Sequence, residues 1–95
     1  MGVVIGVLEL HLFIPHAHSL KEKRAVVKRV VERIKKKFNV SVTEAGDHDK
    51  WQSSVIVCVS AGTSQKVVDA TLESVISFVE EIVPGNLARY YKEFI

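Results

Sequence analysis

The chain is nearly without cysteine. Among its 95 residues only Cys58 carries a thiol, which excludes an intramolecular disulfide and a zinc site built from cysteines alone, and fits a reducing, cytoplasmic location. With five glycines and two prolines, there is no glycine-rich loop to cradle a nucleotide, no P-loop, no dinucleotide fingerprint and no low-complexity linker; a His-Glu-x-x-His motif is also absent. No run reaches the roughly 18 apolar residues of a membrane span. The opening Met1-Gly2-Val3-Val4-Ile5-Gly6-Val7-Leu8 is apolar. Glu9 and His11 interrupt it, however, no cationic region precedes it and no small-residue cleavage site follows, so it reads as a strand and not as a signal peptide. What is present is 47% hydrophobic and 25% charged, the balance of one small globular domain over residues 1–95. A chain of this size buries about 60 to 68% of its unfolded surface, so any apolar strip left exposed matters.

The hydrophobic period changes repeatedly along the chain. Val3 to Ile14 is dense in β-branched residues and predicts a long strand, ended by Pro15. Ser19 to Phe38 switches to helical spacing, with Leu20, Val27, Val30, Val31, Ile34 and Phe38 on one stripe. Ser19 stands at the N-cap, with Glu22 three residues on, as in a capping box. Asn39 to Ala45 alternates as an edge strand, Gly46 to Lys50 is a polar connection, and Trp51 to Gly62 predicts a second long strand. Thr63 or Ser64 caps a second helix running to about Val83, its stripe made by Val68, Leu72, Val75, Ile76, Val79 and Val83. Pro84-Gly85 stops it, and Asn86 to Ile95 closes the sheet as a fourth strand. The order βαββαβ predicts an α+β, ferredoxin-like fold. Two helices lie on one face of a four-stranded antiparallel sheet, and the other face is uncovered.

Alternation assigns the faces. On the first strand Val4, Leu8, Leu10, Leu12 and Ile14 are expected to meet the helices, with Val3, Ile5, Val7, Glu9, His11 and Phe13 outward. On the third, Val55, Val57 and Val59 are expected inward, with Gln52, Ser54, Ile56, Cys58 and Ser60 outward. The expected interaction surface is therefore Ile5, Val7, His11, Phe13 and Ile56, apolar enough for self-association.

Charge is unevenly placed. Between Leu20 and Phe38 lie nine cations (Lys21, Lys23, Arg24, Lys28, Arg29, Arg33, Lys35, Lys36, Lys37) against Glu22 and Glu32. That segment carries a net +7, which leaves −5 to the rest of a chain of overall charge +2. The second helix is acidic, with Asp69, Glu73, Glu80 and Glu81 against Lys66. Two readings stand: a solvated face with a dipole-complementing last turn, or a stripe that meets polyanions.

The segment from Pro15 to Arg24 could hold an anion, since a capped helix start offers free amides with His18, Ser19, Lys23 and Arg24 around it. The alternative is a plain cap with solvated cations. His16 and His18, even with His48, supply no clear third metal ligand, so no metal is expected. Cys58 has no activating motif around it, and Asp47, His48 and Asp49 read as turn residues. No nucleophile constellation is found. Aromatic residues suited to base stacking are few on the expected open face, where only Phe13 and His11 qualify, so RNA would be met through the basic helix by backbone and shape.

Ser19-Leu20-Lys21-Glu22-Lys23-Arg24, with Phe38-Asn39-Val40-Ser41-Val42 and Asp49-Lys50-Trp51-Gln52, resembles the YlxP-like family of small bacterial proteins of unknown function over nearly the whole chain. Lys50 stands where an apolar residue is common in that family, and Ser53 where a basic one is. The resemblance implies a ferredoxin-like fold. Because genes of the family often lie among those for transcription elongation and ribosome maturation, it also implies a link to RNA or the ribosome, without catalytic residues to carry over.

The leading expectation is a non-enzymatic module that contacts structured RNA or the ribosome through Lys21, Lys28, Arg29, Arg33, Lys35 and Lys36, without cofactor, membrane or identified small-molecule substrate. The second is a homodimer formed through the open sheet face. The third is a small phosphate-handling enzyme, since acylphosphatases share this size and architecture. Those enzymes hold phosphate with a glycine-containing loop and an arginine after the first strand, and Pro15 to His18 lacks that loop.

Overall fold

A computed structural model describes residues 2–95. Its elements are β1 (Val4–Phe13), α1 (Leu20–Lys37), β2 (Ser41–Gly46), β3 (Ser53–Gly62), α2 (Gln65–Ile82) and β4 (Leu87–Phe94). The sheet order is β2-β3-β1-β4 with every pair antiparallel. This is the ferredoxin-like α+β arrangement, with the two long strands in the middle and both helices on one side.

Each boundary has a local cause. Ser19 and Ser64 are the N-caps, their hydroxyls accepting from the amides of Glu22 and Val67. The helices bury Val27, Val30 and Ile34 of α1, and Val68, Leu72, Val75, Ile76, Phe78 and Val79 of α2, against the inner sheet face. On β1 that face is Leu8, Leu10 and Leu12, with Gly6 where α2 comes closest. A Cβ on Gly6 would lie 2.6 Å from Val68 Cγ1 and 2.9 Å from Leu72 Cδ1. The missing side chain is what lets α2 settle on the sheet.

The faces of β3 are the reverse of those expected from its alternation. Gly6, Leu8, Leu10 and Leu12 pair with Ser60, Cys58, Ile56 and Ser54, and directly paired residues share a face. Ser54, Ile56, Cys58 and Ser60 are therefore buried beneath the helices, while Val55, Val57 and Val59 point to the uncovered side, only partly covered. Small residues suit the inner position because the helices approach closely there, and the Ser54 hydroxyl is satisfied by donating to Glu44 Oε2 at 2.6 Å. Ile56, expected at an interaction surface, is instead a core residue with no exposure.

Among the described residues, no helix is long and apolar enough to cross a membrane.

Candidate nucleic-acid interface

α1 carries its cations on two flanks. Residues at i, i+4 and i+11 share one side of a helix, which places Arg24, Lys28 and Lys35 along the edge facing β2. There they line a hollow of about 320 Å³ whose walls are the apolar Val27, Val31 and Val42, with Thr43 and Glu44 on its β2 side. Arg29, Arg33 and Lys37 fall on the opposite flank, toward α2. Arg33 lies 5.6 Å from the centroid of the Phe78 ring and Lys37 Nζ lies 4.6 Å from it, and with Lys36 they surround a second hollow of about 420 Å³. These ring contacts hold two long side chains in place at little cost in hydration. Lys21 stands between the flanks. All eight of these cations are exposed, and among the described residues none is in an ion pair.

Among the described residues no carboxylate of the acidic helix forms an ion pair with them, although Glu73 and Glu81 share a hollow of about 430 Å³ with Lys37. Asp69 and Glu73 of α2 turn to the edge strand instead, where Lys92 Nζ lies 2.6 Å from Asp69 Oδ1 and 2.7 Å from Glu73 Oε2. The hydrogen bonds to Asp69 and then Glu73 push the Lys92 ammonium above its usual value.

The ninth cation is different. Lys23 is fully buried, and its ammonium donates to Glu44 Oε2 at 3.2 Å, Asp47 O at 2.9 Å and His48 O at 3.3 Å. It cannot meet an anion from outside; it ties α1 to the β2–β3 connection. Burial pushes the Glu44 carboxyl up, but hydrogen bonds from Ser54 and Lys23 with the nearby Lys23 charge outweigh it and hold the group below its ordinary 4.5.

The anion site expected at the start of α1 is not assembled. Besides the loss of Lys23 to the interior, the Ser19 hydroxyl accepts from the Glu22 amide, and the Glu22 carboxylate accepts from the His18 amide at 2.6 Å. The protein's own carboxylate thus sits where an external anion would. Arg24 faces the β2 flank and the His18 side chain is exposed. Gln52 fastens the preceding loop, its amide donating to Pro15 O and Ala17 O at 2.9 and 3.2 Å.

On the uncovered face, Ile5, Val7, His11 and Phe13 point outward as expected, joined by Val55, Val57 and Val59. The alternation of β3 does not single out those three as outward; its register with β1 does. His11, Asp47, Ser53 and Arg89 meet in a hollow of about 250 Å³. His11 Nε2 engages Glu9 Oε1 at 2.9 Å, while the Ser53 hydroxyl holds the Asp47 carboxyl below its usual range, so the histidine addresses a carboxylate and not the serine. Cys58 is buried and burial pushes its thiol up to about 12, far from nucleophilic use. Among the described residues, no three His, Cys, Asp or Glu side chains are grouped to hold a metal ion.

Comparison with known proteins places these features in context. The de novo designed protein Foldit4 shares the layout at a TM-score of 0.58 and 13% identity, over 98% of this chain and 96% of that one, which speaks to fold alone. SnoaB, a cofactor-independent oxygenase from Streptomyces nogalater, superposes at a TM-score of 0.45 and 13% identity over 100% and 92% of the two chains, too loosely to bear on function. Uncharacterized protein YlxP of Bacillus subtilis (strain 168) is 39% identical over 77 residues, covering 81% of this chain and 84% of that protein. Residues 5–91 match the family described as "Protein of unknown function (DUF503)", and with that match spanning most of the fold, the chain belongs to the DUF503 family of YlxP-like small proteins.

Proposed function

We propose that this protein is a non-enzymatic, RNA- or ribosome-associated module of the cytoplasm that contacts phosphate backbone through α1. The contact residues are Lys21, Lys28, Arg29, Arg33, Lys35 and Lys36, with Arg24 and Lys37 on the same flanks. One observation carries the reading: eight exposed cations crowd an 18-residue helix without a carboxylate partner among the described residues. Such a helix repels itself, and a bound polyanion removes that cost while releasing counterions from the nucleic acid. Two of the four α2 acids, Asp69 and Glu73, are engaged by Lys92, and among the described residues no ion pair joins α2 to the α1 cations. Because Lys and Arg contacts to phosphate carry no base information, recognition follows the shape and charge density of a folded RNA.

Filter binding of the intact chain to structured RNA tests the reading, comparing wild type with the triple variant K28E/R29E/K36E. All three positions are exposed, so the variant is expected to stay folded. Binding at about 50 mM salt, weakened tenfold or more in the variant, is the expected result. No binding by the wild type at that salt, or equal binding by a folded variant, overturns it.

A further inference from the structure

We propose that the uncovered face of the sheet is a self-association surface, on which a second copy of this chain packs sheet against sheet. The register puts Val7 opposite Val59, Ile5 opposite Ala61 and His11 opposite Val55, with Val57 opposite Glu9. Around Glu9 and His11 the face thus carries a block of β-branched side chains, Ile5, Val7, Val55, Val57 and Val59, of the kind that fills the inner layer of a β-sandwich. In a single copy this block remains in contact with water, since both helices pack on the other side of the sheet and the β2–β3 connection reaches the face only at its His11 end, through Asp47.

Size favours a second copy. Strands of six, ten, ten and eight residues at standard strand spacing and rise give a flat footprint of roughly 550 Å². Side-chain relief raises the accessible area toward the roughly 800 Å² per partner that a stable interface buries. Charge favours it as well. The face carries Glu9 and Glu93 against Arg89, and His11 is tied to Glu9, so two copies meet without strong repulsion. The polar groups at its centre are already engaged: His11 Nε2 donates to Glu9 Oε1, and the ring packs edge-on against the Tyr91 ring at 5.5 Å between centroids. Burying them beneath a partner leaves little polar surface unpaired. RNA is a poor occupant here, because Arg89 is the one Lys or Arg that the strands direct to this side among the described residues.

Such a dimer has four layers, helices outside and sheets within, and places the two α1 helices on opposite outer surfaces roughly 30 Å apart. The inference does not depend on what α1 binds.

Sedimentation equilibrium of the full chain over a wide concentration range is the test, with Val57→Lys as the disrupting variant. Val57 sits opposite Glu9, so the introduced ammonium has a carboxylate neighbour in a single copy and unfolding is not its expected effect; circular dichroism checks this. Should it fail to fold, the double variant Val7→Thr with Val59→Thr, which preserves side-chain shape, decides. The expected result is twice the chain mass for wild type, the chain mass for V57K, and a dimer dissociation constant raised tenfold or more in the threonine variant. Wild type at the chain mass throughout overturns the proposal, and so does a folded V57K or threonine variant that associates as tightly as wild type. A monomeric wild type that loses RNA binding in V57K identifies RNA as the occupant and overturns it too. The variant K28E/R29E/K36E is expected to keep the wild-type mass, so a failure of the α1 reading is distinguishable from a failure here.

Discussion

A buried ammonium needs an acceptor for every proton, and Lys23 has three: one Glu44 carboxylate oxygen and two main-chain carbonyls. Breaking such a pair costs more than deleting the charge, because the surviving charge is left without compensation. Glu44→Ala is expected to destabilise by about 3 kcal/mol, whereas Lys23→Met costs about 1 kcal/mol, since it leaves a partly exposed carboxylate and no buried charge. Denaturant unfolding of the two variants checks this, and equal losses would show that the ammonium is not the demanding partner. The pair also sets a pH dependence. The Glu44 carboxyl is held below 4.5 in the fold, so its contribution is present above that pH and is lost as pH falls through the lowered folded value. In Glu44→Gln the acid-sensitive part of the unfolding free energy shrinks; an unchanged acid profile would place the sensitivity elsewhere. Cys58 supplies an independent probe. With its thiol pushed up to about 12 by burial, alkylation should be limited by opening of the core and accelerate only as denaturant unfolds the chain. Rapid labelling of the native protein would contradict the assigned packing.

Among the elements, α2 and β1 depend on one absence, the side chain of Gly6. Gly6→Ala drives a methyl group into Val68 and Leu72 and is expected to cost about 1 to 3 kcal/mol. In a Val68→Ala background the cost should fall, giving a favourable coupling in a double-mutant cycle; strict additivity would mean the close contact is not the cause. The six elements and their order were legible in the sequence because each carries its own period and its own stop, from Pro15 after β1 to Pro84-Gly85 after α2. The faces of β3 were not. Both of its sides are small or apolar, so alternation alone gives two answers, and only pairing Leu10 with Ile56 chooses between them. Lys23 was legible in part. It falls three residues after Leu20 and four before Val27, on the buried stripe of α1, yet its charge groups it with the exposed cations around it. The exposed cations of α1 followed from periodicity directly, while the closing of its N-terminus by Glu22 required the observed hydrogen bonds.

At the scale of the whole molecule, two surfaces lie on opposite sides of one sheet: a cationic helix on the covered side and a β-branched face on the bare side. Their separation makes their roles independent, so V57K is expected to change mass without changing the affinity of one α1 surface for a short RNA that a single chain can fill. Titration with such an RNA checks this, and a parallel loss of mass and per-chain affinity would mean that the two surfaces form one site. The most direct test of the α1 reading is the salt dependence of RNA binding by the wild-type protein. If six of the exposed cations meet phosphates, log K falls against log salt concentration with a slope of about −4 to −5, and reversing three charges in K28E/R29E/K36E flattens it by about 2 to 3. A wild-type slope near zero, or a slope untouched by the three reversals, would contradict phosphate contact by α1.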